Sequence, residues 1–110
     1  MNDKAFAVVV MLVVLTSCAT PGEVAKPLEM AASECLKKGE SYIEAEKCLN
    51  KRGLKMKHIN WEKDLDTYTI HKCRPSDRHM LVGACASLYV GVTKSGIVEK
   101  WSISEGYDGP

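Results

Sequence analysis

The chain has 110 residues, with 15 Lys and Arg against 14 Asp and Glu and a formal charge of +1. That length sets one domain, and that balance excludes the one-sided basic surplus of a nucleic-acid footprint. Five cysteines in so short a chain point instead to a thin core reinforced by disulfides.

In chain order the first element is an eleven-residue apolar run, Ala5 to Leu15. A spanning helix needs about 17 to 25 such residues, so the run is too short to cross a bilayer. It has the length of a signal-peptide core, although Asp3 cancels Lys4 and leaves the amino terminus to supply the positive charge ahead of it. Leu15-Thr16-Ser17-Cys18 follows and resembles the lipobox of bacterial lipoproteins: an aliphatic residue, two small ones and a cysteine. The resemblance implies cleavage before Cys18 and diacylglycerol attached to its sulfur through a thioether. Because Ala19 rather than Asp comes next, it also implies the outer membrane. Residues 1–17 would then be a signal peptide, leaving 93 residues. The competing reading is ordinary secretory cleavage after Ala19, at the small-x-small site Ser17-Cys18-Ala19. Each buried methylene contributes about 0.8 kcal/mol, so two or three acyl chains anchor a protein without a spanning helix.

Ala19 to Pro27, with two prolines, a glycine and no apolar period, reads as a tether; residues 18–27 join lipid to a domain over 28–110. Leu28 to Lys38 reads as a helix with Leu28, Ala32, Cys35 and Leu36 on one face and Gly39 as its stop. Ser41 and Glu44 have capping-box spacing for a second helix ending near Arg52, before Gly53. Its inner face carries Tyr42, Ala45, Cys48 and Leu49. A bond between Cys35 and Cys48 would staple this helix pair and stabilise it by about 3 kcal/mol. The basic stretch Lys51 to Lys57 could touch anionic headgroups, but a solvated helix end is the simpler reading.

After Gly53 the period changes. Leu54 to Trp61 alternates imperfectly, as either a short edge strand or an extended connection. Asp66 to Cys73 alternates clearly, Arg74 to His79 is a loop, Met80 to Val92 is a long strand, and Ile97 to Ser104 returns as another. A two-residue turn at Ser95-Gly96 places Val90 opposite Trp101, Leu88 opposite Ile103 and Val92 opposite Glu99. Setting Cys73 opposite Cys85 places Ile70 against Leu88 and Tyr68 against Val90, so both pairings expose the same apolar face. This selects a Cys73–Cys85 disulfide on the other face, beside His71 with Ser87. The expected fold is α+β: two N-terminal helices on one face of a three-stranded antiparallel meander, with the edge strand as an optional addition. Leu36, Ala45 and Leu49 should pack onto Tyr68, Ile70, Leu88, Val90, Trp101 and Ile103.

This order behind a lipobox resembles the SmpA/OmlA (BamE-like) outer-membrane lipoproteins, with Ser87 to Ile103 similar to their closing hairpin. The resemblance implies a lipid-anchored periplasmic binding or scaffold module in outer-membrane assembly or envelope maintenance, with another envelope protein as partner. Four domain cysteines depart from that pattern. The alternative function is an inhibitor or adaptor of a periplasmic enzyme. No catalytic role is expected. His58, His71 and His79 stand in no recognisable motif, and His71 with Ser87 lacks a third group to orient the imidazole. Asp64 and Asp66 read as a solvated turn, and no phosphate-cradling loop occurs. His71, Cys73, His79 and Cys85 are metal-ligand types, but paired sulfurs are not thiolates and no Cys-x-x-Cys occurs, so neither metal nor other cofactor is expected. Tyr89, His71 and Lys100 on the outer sheet face are the expected interface residues. Glu105 to Pro110 is either a recognition tail or a frayed end.

Overall fold

The computed structural model describes residues 18–59, 63–76 and 82–108. The apolar run, the first three lipobox residues, Trp61, His79, Met80 and the last two residues of the chain lie outside the described residues. Among the described residues two helices, α1 (Pro21–Cys35) and α2 (Tyr42–Lys51), precede four strands: β1 (Lys57–Ile59), β2 (Leu65–Pro75), β3 (Gly83–Thr93) and β4 (Val98–Asp108). The strands form one antiparallel sheet in the order β1-β2-β3-β4. The meander is therefore four-stranded rather than three-stranded. The imperfect alternation after Leu54 forms the short edge strand, with Lys57 opposite Thr69 and Ile59 opposite Thr67.

The first helix starts well before Leu28, so the segment expected as a tether is mostly helical. Its two prolines concealed the start. Thr20 is the N-cap, Pro21 occupies the first turn, and the Thr20 hydroxyl accepts from the Glu23 backbone N–H at 3.3 Å. A missing N–H costs nothing at that position, where no intrahelical acceptor exists. Pro21, Val24, Ala25, Leu28, Ala31, Ala32 and Cys35 are buried at helical spacing. The helix ends at Cys35, and Leu36 is its C-cap, buried in extended conformation. The expected continuation to Lys38 does not form. Ser41 does precede α2, but its side chain makes no capping bond. Instead the link between the helices docks on the end of the sheet: the Tyr42 N–H donates to Gly96 O at 2.8 Å, and Gly39 N–H and Glu40 O both bond Val98.

The helices share one face of the sheet unequally. α1 lies along β3 and β4 and also meets β2, whereas α2 packs beside α1. Alanines on both layers (Ala25, Ala31 and Ala32 of α1, Ala84 and Ala86 of β3) are buried and permit close approach. α2 reaches the sheet through Tyr42, whose ring stacks on Tyr68 with centroids 4.2 Å apart. The core contains Leu28, Leu36, Leu49, Ile70, Leu88, Val90 and Val98, with Tyr68, Trp101 and Ile103 half-buried against it.

The β2–β3 register matches the expected one throughout, with Cys73 opposite Cys85, Ile70 opposite Leu88 and Tyr68 opposite Val90. The β3–β4 turn differs at its tip. Thr93 N–H donates to Ile97 O and Gly96 N–H to Thr93 O, closing a loop of Lys94, Ser95 and Gly96. Gly96 has φ +85°, the left-handed residue that such a three-residue loop requires. Val92 therefore faces Val98, not Glu99. One step on, Gly91 faces Lys100, so Glu99 is an unpaired extra residue. The longer loop and the bulge offset one another, which leaves Val90 opposite Trp101 and Leu88 opposite Ile103 as the hydrophobic pattern demands. β4 also continues through Asp108, so Glu105 to Asp108 pair with β3 rather than forming a tail.

Candidate functional site

The chemistry gathers on the sheet face that the helices leave open. Alternation along β2 and β3 places His71, Cys73, Cys85 and Ser87 on this side. Cys73 and Cys85 form a disulfide between directly opposed residues, with Cα atoms 4.1 Å apart. Such close approach belongs to the narrow pairs of an antiparallel ladder. The second disulfide, Cys35–Cys48, joins α1 to α2 with a Cα separation of 5.5 Å. Cys18 is free and exposed.

His71 is held from both sides. Its Nδ1 lies 2.6 Å from Ser87 Oγ, and its Nε2 lies 3.2 Å from Cys73 Sγ. One tautomer satisfies both contacts: the Ser87 hydroxyl donates to Nδ1, and Nε2–H donates toward the sulfur. The sequence-predicted neighbours are thus brought together. The far nitrogen of the ring meets a disulfide sulfur, where a nucleophile–base pair would need an orienting carboxylate. The ligating atoms of His71, Cys73 and Cys85 lie within 4.8 Å of one another. Joined to each other, the sulfurs offer no thiolate to a metal ion.

A shallow recess of about 220 Å³ opens beside this cluster, lined in part by His71, Cys85, Ser87, Ser104, Gly106 and Asp108. Gly106 sits opposite Cys85 on β4, and a Cβ placed on Gly83 would meet the Cys85 sulfur at 3.3 Å, so glycine there leaves the disulfide uncrowded. A larger hollow of about 450 Å³ lies along α1, with Lys26, Pro27, Met30, Arg52 and Leu54 among its lining. Among the described residues its lining holds no imidazole, disulfide or hydroxyl.

The three expected interface residues fall on one diagonal of the open face. His71 is opposite Ser87, Tyr89 is opposite Thr69 and Ser102, and Lys100 is opposite Gly91. A Cβ placed on Gly91 would meet Lys100 Cγ at 3.1 Å, so the lysine stem lies across bare backbone. His71 and Lys100 are exposed and Tyr89 is half-buried. Of the basic stretch Lys51 to Lys57, Arg52 is paired with Glu34 of α1, while Lys51, Lys55 and Lys57 are exposed.

Two further polar clusters flank the core. The Tyr42 hydroxyl donates to Glu46 at 3.2 Å, and burial, reinforced by that carboxylate, pushes the phenol far above its usual range. Asp66 accepts from Lys94 at 3.0 Å and lies 3.5 Å from His58 Nε2. The Lys94 bond holds its carboxyl below the usual carboxylate range. In place of a solvated turn, Asp66 stands at the start of β2 facing the β3–β4 loop, which gives it these partners.

Compared with protein-family models, curated proteins and solved structures, the chain matches none. Among the described residues no helix is long and apolar enough to cross a membrane.

Proposed function

We propose that the chain is an outer-membrane lipoprotein, acylated on Cys18, whose periplasmic domain binds another envelope protein. The observation that carries this is the allocation of sulfur. Four of the five cysteines pair inside the domain, and the remaining one is the exposed cysteine that completes the Leu-Thr-Ser-Cys run. Disulfides on this scale belong to oxidising compartments, and a lone thiol at that position suits thioether attachment. The next residue strengthens the picture. Ala19 is fully buried, and its N–H donates to Pro75 O at 2.9 Å. An acyl group on Cys18 would therefore sit directly against the domain, without slack between lipid and fold.

The order of two helices and then an antiparallel sheet behind a lipobox is what supports a SmpA/OmlA-like scaffold role; the extra edge strand and the cysteines are this chain's own. The open face supplies a binding surface through His71, Tyr89 and Lys100. Intact-mass analysis of the mature protein purified from membranes tests the anchor: the expected species begins at Cys18 and carries diacylglycerol. A species beginning at Thr20 without lipid would overturn it. Crosslinking in envelopes followed by affinity purification tests the partner. Recovery of barrel-assembly components supports the scaffold role, and recovery of one soluble hydrolase would replace it with the inhibitor alternative.

A further inference from the structure

We propose that the Cys73–Cys85 disulfide is a thiol–disulfide exchange site that accepts two electrons from a dithiol partner, with His71 stabilising the Cys73 thiolate as it is released. The inference goes beyond the binding role and rests on the open sheet face, not on the anchor.

Three observations converge. First, the two sulfurs differ in access: Cys73 is exposed, whereas Cys85 is only 6% exposed. Exchange begins at a sulfur that a thiolate can reach in line, and here that is Cys73. Second, an imidazole nitrogen stands 3.2 Å from Cys73 Sγ. A neighbouring imidazole N–H favours thiolate over thiol, and a stabilised thiolate is the better leaving group. Third, the imidazole is oriented by Ser87, whose hydroxyl lies 2.6 Å from its other nitrogen. Among the described residues Cys35–Cys48 has no such imidazole contact. Cys35 is packed in the core, and the other described histidine, His58, is engaged with Tyr68 and Asp66.

A thiolate of the partner dithiol attacks Cys73 Sγ and forms a mixed disulfide. The Cys73–Cys85 bond breaks, and its electron pair leaves with the Cys85 sulfur, which takes a proton from water. The partner's second thiolate then attacks the partner's own sulfur in the mixed disulfide. Cys73 leaves as a thiolate, accepts the Nε2–H hydrogen bond of His71 and is protonated. The partner's dithiol is oxidised to a disulfide, and this chain's disulfide is reduced to two thiols. The ladder joining β2 to β3 continues on both sides of the bond, so the sheet holds while the bond opens.

The test uses the full chain under native conditions. Dithiothreitol is added, samples are quenched in acid, thiols are tagged by alkylation, and each cysteine is quantified by peptide mass spectrometry. Cys73–Cys85 is expected to open at least about ten-fold faster than Cys35–Cys48, and glutathione in place of dithiothreitol should leave its adduct on Cys73. When dithiothreitol is added to that adduct, His71→Ala should slow release of the Cys73 thiol about three-fold or more and leave the rate at which Cys35–Cys48 opens unchanged. Ser87→Ala, which frees the ring, should slow that release in the same direction by less, and it carries the test should His71→Ala lose its fold. Equal rates for the two bonds, an adduct on Cys85, or an unchanged rate in both variants would overturn the proposal.

Discussion

The two disulfides close rings of almost the same size, with sequence separations of 13 and 12, in different surroundings. Cys35–Cys48 ties one helix to the other, and Cys35 belongs to the hydrophobic core. Cys73–Cys85 ties two strands that are already fully paired, on the face away from that core. On the chain-entropy account each ring stabilises by about 3 kcal/mol, so ring size cannot distinguish them. What separates them is the neighbourhood: apolar packing at one, an imidazole and open solvent at the other. The same division runs through the whole sheet, since even-numbered residues of β3 carry the core and odd-numbered ones carry the polar chemistry.

The largest test of that division is Leu88→Ala. Leu88 is fully buried at the centre of the covered face, and the truncation should cost about 2–5 kcal/mol in denaturant unfolding. Ser102→Ala, on the open face of β4, should stay within about 0.5 kcal/mol of the parent. Comparable losses at the two positions would erase the distinction between faces. Next in size are the paired deletions Cys35→Ala/Cys48→Ala and Cys73→Ala/Cys85→Ala. Both should lose about 3 kcal/mol, and the first should exceed the second by roughly 1 kcal/mol because both Cys35 and Cys48 pack with the hydrophobic core cluster. The reverse order would place the structural staple on the sheet instead of the helices.

The smallest effect is a pH dependence. Burial and Glu46 raise the Tyr42 phenol, whereas the unfolded chain loses that proton near the ordinary value of about 10. Above that pH the folded state holds more protons than the unfolded one, so stability falls as pH rises; below it the contribution is fully present. Tyr42→Phe should cost about 1 kcal/mol or less at neutral pH and flatten the alkaline limb of a stability profile. Parallel limbs for parent and variant would remove Tyr42 from any role in that slope.

Much of this was legible in the residues, and for a specific reason. Strand register follows parity, so Ile70, Leu88, Val90, Trp101 and Ile103 could share one covered face in only one pairing, and the cysteines then met on the other. Turn geometry is less constrained by side chains. Ser95-Gly96 suited a two-residue turn, and the bulge at Glu99 that restores register after a longer loop has no apolar signature. The start of α1 was hidden because Pro21 and Pro27 resemble helix breakers. The signal that could have revealed it is Thr20-x-x-Glu23 with proline at the first helical position. His71 and Ser87 were placed side by side by the same parity, whereas the approach of the second ring nitrogen to sulfur depends on a side-chain torsion that spacing does not encode.

Glu99 has one more consequence. β4 is an outer strand of eleven residues, long enough to invite a foreign chain to extend the sheet. The unpaired glutamate near its beginning breaks the regular spacing of its hydrogen-bonding groups and sets a carboxylate on an exposed backbone. A neighbouring strand laid along it would meet a kinked, charged rail, which guards a concentrated population of these molecules against fusing edge to edge.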